Sequence, residues 1–160
     1  MRVLAIDLGD ARTGLAVADR ITGIAAPAGL IEQPAAHDDG NALIREIARQ
    51  IDSVLGGDLA GSEIVMGIPL NMDDTEGPRA KAARAFAKRL ADALGAAITL
   101  VDERRSSLAA DARMARTGLT HKQKKLRRDA IAASEILTAY LADETAAIDR
   151  IEPMDDQSSH

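Results

Sequence analysis

Three acids in this chain stand where a carboxylate needs a reason. Asp7 lies within or at the end of an apolar run, in "MRVLAIDLGDARTGLAVAD". A charge inside a core is costly unless something pairs with it, so Asp7 either faces solvent at an edge or meets a cation. Glu103 closes the apolar stretch "AITLVDE", and Asp129 stands near the start of the helical stretch "RRDAIAASEIL". In open α/β sheets, sites gather beyond the carboxyl ends of the strands. Asp7 and Glu103 reach such an edge together if their strands are neighbours, and a helix can deliver Asp129 to it. Three hard oxygen donors at one edge would suit Mg²⁺ or Mn²⁺. Taken singly, Asp7 could accept hydrogen bonds in its own turn, and Asp129 could cap its helix. The three together point to a metal site.

A second group of residues lies in "GIPLNMDDTEGPRA". Asn71 follows an apolar strand, and Arg79 falls in the first turn of the next helix. The free N–H groups of a helix N-terminus suit phosphate, with Asn71 as a further donor and Arg79 as a charge. An ordinary capped strand-to-helix loop would read the same way. The third feature is charge. The chain carries a net charge of −5, yet Arg104 to Arg128 holds nine Lys/Arg against the single acid Asp111. Lys122, Lys124, Lys125, Arg127 and Arg128 form its densest part. Local asymmetry of this kind is the mark of an anion-binding face, although a solvated surface is its plainer counterpart.

Other chemistries lack their residues. Neither G-x-G-x-x-G nor G-x-x-x-x-G-K-[ST] occurs, so neither dinucleotide fold nor P-loop is signalled. His37, His121 and His160 are scattered, and no Ser–His pairing follows from spacing. The absence of Cys excludes disulfides and thiolate zinc sites and fits a reducing cytoplasm. No apolar stretch is long enough to span a membrane, and Asp7 interrupts any signal-peptide core.

The elements that must hold these residues follow from periodicity. At 160 residues the natural expectation is one compact domain. Arg2–Leu8 and Leu15–Ala18 read as a strand hairpin. Ile24–Ile31 reads as a third strand, irregular or at an edge because of Pro27 and Gly29. Leu43, Ile44, Ile47, Ile51, Val54 and Leu55 follow helical spacing from Asn41 to Gly56-Gly57. "EIVMGIPL" is a buried strand. Pro78 suits the first helical position, and that helix, with Phe86 on its buried face, runs to Gly95. After the strand ending at Asp102-Glu103, Ser106 or Ser107 could cap a helix to about Arg116. A basic loop then precedes a helix starting near Leu126 or Asp129, and residues 143–160 read as an acidic, polar, disordered tail. The order β-β-β-α-β-α-β-α-α predicts an α/β fold. Its mixed five-stranded sheet is antiparallel first and parallel later, with helices on both faces.

Several of these stretches together resemble one known family. "VLAIDLGDARTGLAVAD", "IVMGIPLNMDDTEGPRAKAARAFAKRL", "LVDERRSS" and "DAIAASEILTAYL" are similar, in order, to the motifs of the YqgF (RuvX) family. The resemblance covers about residues 2–142. The family is known as Holliday-junction resolvase-like proteins and as nucleases that process precursor 16S ribosomal RNA. It implies a ribonuclease-H-like fold and a catalytic, metal-binding triad at Asp7, Glu103 and Asp129. It also carries hallmark residues onto Gly9, Asn71, Glu76, Gly77, Arg79, Asp102 and Arg104. Asp10 stands where Thr is common, and Arg105 where an aliphatic residue is common. Asp10 would either tighten cation binding or disturb it.

On this reading the chain is a cytoplasmic phosphodiester hydrolase of two-metal type, with ions roughly 3.5–4 Å apart. Arg104 or Arg79 would hold the flanking phosphate, and the basic run would grip the backbone. Precursor rRNA is the favoured substrate, within ribosomal particles or free, and branched DNA the alternative. A homodimer would suit a two-fold junction; trimming of rRNA needs none. With Phe86 buried, an aromatic platform for unpaired bases is missing, which favours structured nucleic acid read through backbone and shape. Two other classes stay open. "DLGDARTG" also resembles the phosphate-binding turn of the actin-like superfamily, but those proteins enclose a nucleotide between two such domains. A non-catalytic assembly factor would retain the acids for metal-dependent structure.

Overall fold

The computed structural model describes residues 1–104 and 120–154; the side chains at 121–127, 129 and 130 lie outside that description. Six strands form one sheet in the order β3-β2-β1-β4-β5-β6. They are β1 (Arg2–Leu8), β2 (Thr13–Asp19), β3 (Ala25–Ile31), β4 (Ser62–Ile68), β5 (Ile98–Asp102) and β6 (Ala147–Ile151). The first three pair antiparallel, β1–β4 and β4–β5 are parallel, and β6 returns antiparallel to β5. β3 lies at an edge, where Pro27 costs no ladder bond to a further strand.

Strand alternation divides the core in two. Leu4, Ile6, Leu15, Ile64, Met66, Ile98 and Leu100 face the helices α1 (Asn41–Leu55) and α2 (Pro78–Leu94). Val3, Ala5, Ala16, Val65 and Val101 face α3 (His121–Ala142) through Ala133, Ile136, Leu137 and Tyr140. Asp7, two and four residues beyond Ala5 and Val3, belongs to the α3 side of the sheet. Both α1 and α2 stop at glycines in the left-handed region, Gly56 (φ 60°) and Gly95 (φ 65°), whose N–H groups close the last turn. Pro78 occupies the first turn of α2, where its missing N–H costs nothing. At the end of the sheet away from Asp7, Glu63 accepts hydrogen bonds from Arg20 and the Tyr140 hydroxyl, and Arg20 also donates to Glu144. Burial, then Glu63, pushes the Tyr140 phenol up to about 12. This network fixes the C-terminal end of α3 against the sheet.

Two expectations need correction. The sheet has six strands rather than five, because residues 147–151 of the expected tail form β6. Ile151 enters the main core, and Asp149 pairs with Arg84 of α2. The segment's short apolar content and many charges mask an edge strand whose outer face is wet. The basic residues Lys122, Lys124, Lys125, Arg127 and Arg128 lie on α3, not in a loop before it, since the helix begins at His121. The expected helix over 106–116 and residues 155–160 lie outside the described residues. Among the described residues no helix is long and apolar enough to cross a membrane.

Candidate active site

Asp7 and Glu103 come together because of register. Ile6 of β1 pairs with Met66 of β4, and one step further lie Asp7 and Gly67. Gly67 pairs with Val101 of β5, and the Glu103 N–H donates to the Ile68 carbonyl at 3.3 Å, extending the β4–β5 ladder by one turn of chain. Asp7, Gly67 and Glu103 thus follow one another across the carboxyl ends of three adjacent strands. A Cβ at position 67 would lie 3.2 Å from both Cβ and Oε2 of Glu103 and 2.7 Å from Cδ1 of Ile136. Only glycine leaves the Glu103 side chain room to lie over β4 beside α3. Position 129 lies in α3, one heptad before Ile136; its side chain is among those outside the described residues.

The two carboxylates feel each other. Burial, then the charge of Asp7, pushes Glu103 up to about 7, with Arg79 opposing and Asp102 adding to the rise. A carboxylate pair that cannot both ionise cheaply without a cation is a donor set of hard oxygens short of positive charge. Among the described residues no three acids or histidines converge as a complete metal cluster. The pair Asp7–Glu103 fits a hard divalent ion that takes its remaining ligands from water, substrate or a third residue.

The turn between β1 and β2 closes tightly: a Cβ on Gly9 would stand 2.4 Å from the Arg12 carbonyl oxygen. It presents Asp10 to Arg79, whose guanidinium lies 3.6 Å away, with both side chains largely exposed. Arg79 is therefore available at the N-terminus of α2, and its field reaches Glu103.

Asn71 and Arg104 have other employment. Arg104 Nε donates to Asp102 Oδ1 at 2.9 Å and Nη2 to Oδ2 at 2.7 Å, a forked pair. Its Nη1 donates to the Asn71 carbonyl at 2.6 Å, and Nη2 also reaches Asp74 at 2.6 Å. Asn71 donates to the Thr75 hydroxyl at 3.0 Å, and its N–H to the Thr75 carbonyl at 2.9 Å. Both residues brace the loop between β4 and α2. Glu76 accepts from Arg84 Nε at 2.9 Å at the far end of that loop. Arg128 is exposed on α3, and at Lys122, Lys124, Lys125 and Arg127 only the helical backbone is described. The residue missing from the sequence reading is Gly67. Its signal was present: an isolated glycine inside the apolar strand "IVMGIPL" marks a close approach.

With the geometry in hand, relatives can be placed. Residues 1–143 match the RuvX family, described as Holliday junction resolvase. The chain belongs to the RuvX family. A protein of Anaeromyxobacter sp. (strain K) is 43% identical over 141 residues, covering 88% of this chain and 96% of its own. One from Ruegeria pomeroyi is 38% identical over 136 residues, covering 85% and 82%. Both carry the name "Putative pre-16S rRNA nuclease". Among solved structures, T. thermophilus RuvC in complex with Holliday junction substrate superposes with a TM-score of 0.50 at 17% identity. That match covers 92% of this chain and 98% of RuvC, and it shows a shared ribonuclease-H-like fold. In this RuvX-family chain Asp7 and Glu103 stand at the carboxyl edge of the sheet, as the strand order requires.

Proposed function

We propose that this RuvX-family chain is a divalent-metal-dependent nuclease that hydrolyses phosphodiester bonds in structured nucleic acid, with precursor 16S rRNA as its substrate. The observation that carries the reading is the Asp7–Glu103 pair across Gly67, with Glu103 pushed up to about 7. Names of relatives at up to 43% identity support rRNA over branched DNA.

Asp7 and Glu103 would hold Mg²⁺ or Mn²⁺, with Asp129 as the third ligand. Bound there, one ion or a pair would activate water and stabilise the departing oxygen. Asp7 would contribute an oxygen donor at the end of β1. Glu103, whose charge burial and then Asp7 oppose, would give up its proton to the bound cation and serve as an oxygen donor. Arg79 would orient the phosphate from the N-terminus of α2, where the exposed guanidinium and helix N–H groups share one side. The basic residues of the first turns of α3 would neutralise the neighbouring backbone. Arg104 acts through the loop it braces rather than on phosphate directly.

The test is cleavage of a labelled precursor-rRNA fragment and of a four-way DNA junction, each with Mg²⁺, Mn²⁺ or EDTA. Metal-dependent cutting of the RNA by the parent, lost in Asp7→Asn, Glu103→Gln and Asp129→Asn with the fold intact, is expected. Cutting that persists in EDTA or in any one variant would end this assignment.

A further inference from the structure

The carboxylate edge opens into a cleft that the hydrolytic reading leaves unused. Its volume is about 630 Å³, within the range of small-ligand sites. One wall is α2, through Ala82, Ala85 and Phe86; the other is the segment 35–40, through Ala35, Ala36 and Gly40. Gly67 and Glu103 are part of its lining, so the cleft reaches one member of the acid pair. Arg79 and Asp10 line it too.

The outer wall is built rather than loose. The Ala35 N–H donates to the Asp10 carbonyl at 2.9 Å. Arg89 Nη1 donates to the Asp39 carbonyl at 2.7 Å and Nη2 to Asn41 Oδ1 at 2.6 Å. Asp38 and Asp39 hold positive φ, 53° and 56°, to make this path. At Gly40 (φ 84°) a Cβ would come 3.0 Å from Arg89 Nη1 and 3.7 Å from Phe86 Cε2. Any side chain there would narrow the cleft against its one aromatic ring.

We infer that this cleft receives an unpaired nucleobase of the substrate, from a nucleotide flanking the phosphate under attack. The inference rests on the proposed nuclease reading and adds to it a subsite for a single base. The walls supply the methyl groups of exposed alanines and a small part of one ring, apolar surface of the kind that holds a base taken out of its stack. The small alanine side chains leave a slot between helix and loop. The cation of the lining, Arg79, whose field reaches Glu103, would meet the phosphate of that nucleotide. A wholly apolar occupant would leave Arg79 and Asp10 unused; a free anion would leave the apolar walls unused. Phe86 is buried in the core as expected, at 7% exposure, and only that small part of its ring lines the slot.

The experiment has two arms. In the first, the cut in a labelled precursor-rRNA fragment is mapped, and abasic residues are placed in turn at the nucleotides on either side. Parent and Ala82→Leu are compared on each; Ala82 is exposed, so the larger side chain fills the cleft without entering the core. Loss of one base should slow the parent about tenfold, the lower part of what base–side-chain stacking supplies. Ala82→Leu should slow cutting of the intact RNA by a similar factor and of that abasic RNA hardly at all. In the second arm, a short single strand carrying one 2-aminopurine is titrated in EDTA. Its emission should change on binding the parent, and Ala82→Leu should bind at least several-fold more weakly. Equal cutting of intact and abasic RNA, or an equal loss by Ala82→Leu on both, overturns the base subsite while leaving the nuclease intact. No cutting by the parent overturns the nuclease reading, and the 2-aminopurine arm then decides the cleft alone: unchanged emission refutes it.

Discussion

Glu103→Gln offers a test of the acid pair that needs no substrate. In the metal-free protein Glu103 titrates near 7, against an ordinary glutamate value of 4.5, because burial and then Asp7 oppose its charge. The folded state therefore binds this proton more tightly than the unfolded chain. Its contribution to stability is complete below about pH 4.5, falls through the interval up to 7, and is gone above it. That interval corresponds to roughly 3 kcal/mol at most. Glutamine keeps the shape and cannot ionise, so it escapes the loss. Urea unfolding of parent and variant in EDTA, at steps from pH 4.5 to 8, should show the variant gaining on the parent by about 2–3 kcal/mol across the series. Saturating Mg²⁺ should reverse the order at pH 8, because the ion favours the charged carboxylate that glutamine lacks. A difference between the two proteins that does not vary with pH would refute the raised carboxyl of Glu103, whether burial or Asp7 is its source. Taking the difference removes the titrating groups that do not interact with Glu103; Asp7, coupled to it, contributes to the difference.

Other outcomes follow from the same geometry. At a hundred times its dissociation constant, Mg²⁺ or Mn²⁺ should stabilise the parent by about 2.7 kcal/mol, and thermal scans should show that response shrinking in Asp7→Asn; an equal response would remove Asp7 from the ion. Gly67→Ala, which in an unobstructed strand would be favourable, should instead cost about 1–3 kcal/mol through its clash with Ile136 and Glu103, and should lower cleavage; chemical unfolding and the cleavage assay report both. Arg104→Ala should leave the buried Asp102 without its forked partner and loosen residues 71–77, seen as lower stability and faster hydrogen exchange there, with Arg104→Lys restoring little. Charge reversal of Lys124 and Lys125 should reduce the log–log salt slope of nucleic-acid binding by roughly 0.7–0.9 for each phosphate no longer neutralised; an unchanged slope would assign these residues to solubility.

Much of the frame was legible because its signals are local. Alternation in Arg2–Leu8, the helical spacing from Leu43 to Leu55, and the Pro78 and Gly95 punctuation each act within a few residues, and each marks its element closely. The pairing of Asp7 with Glu103 could be anticipated from strand order, since neighbouring parallel strands deliver their carboxyl ends to one edge. The missed parts depend on distant partners. β6 is a strand only because β5 offers an open edge, α2 an arginine and the core a place for Ile151. Arg104 looks like a phosphate ligand until Asp102, Asp74 and the Asn71 carbonyl surround its guanidinium. The role of Gly67 needs the Glu103 and Ile136 side chains, which lie 36 and 69 positions further along the chain.

The sheet order also sets a timetable. β1, β2 and β3 pair through short hairpin connections, so half of the sheet can assemble from the first 31 residues as they emerge. β1 must then wait for its second neighbour: Arg2 pairs with Ser62, across a loop whose closure is entropically slow. β5 waits longer still for β6, and α3 covers the acid-bearing face only after residue 121. During synthesis, at about 5–20 residues per second, the nascent chain holds Asp7 on a formed hairpin for several seconds before Glu103 arrives. The acid edge is thus completed only after the first hundred residues are made, and a half-made chain lacks Glu103 altogether.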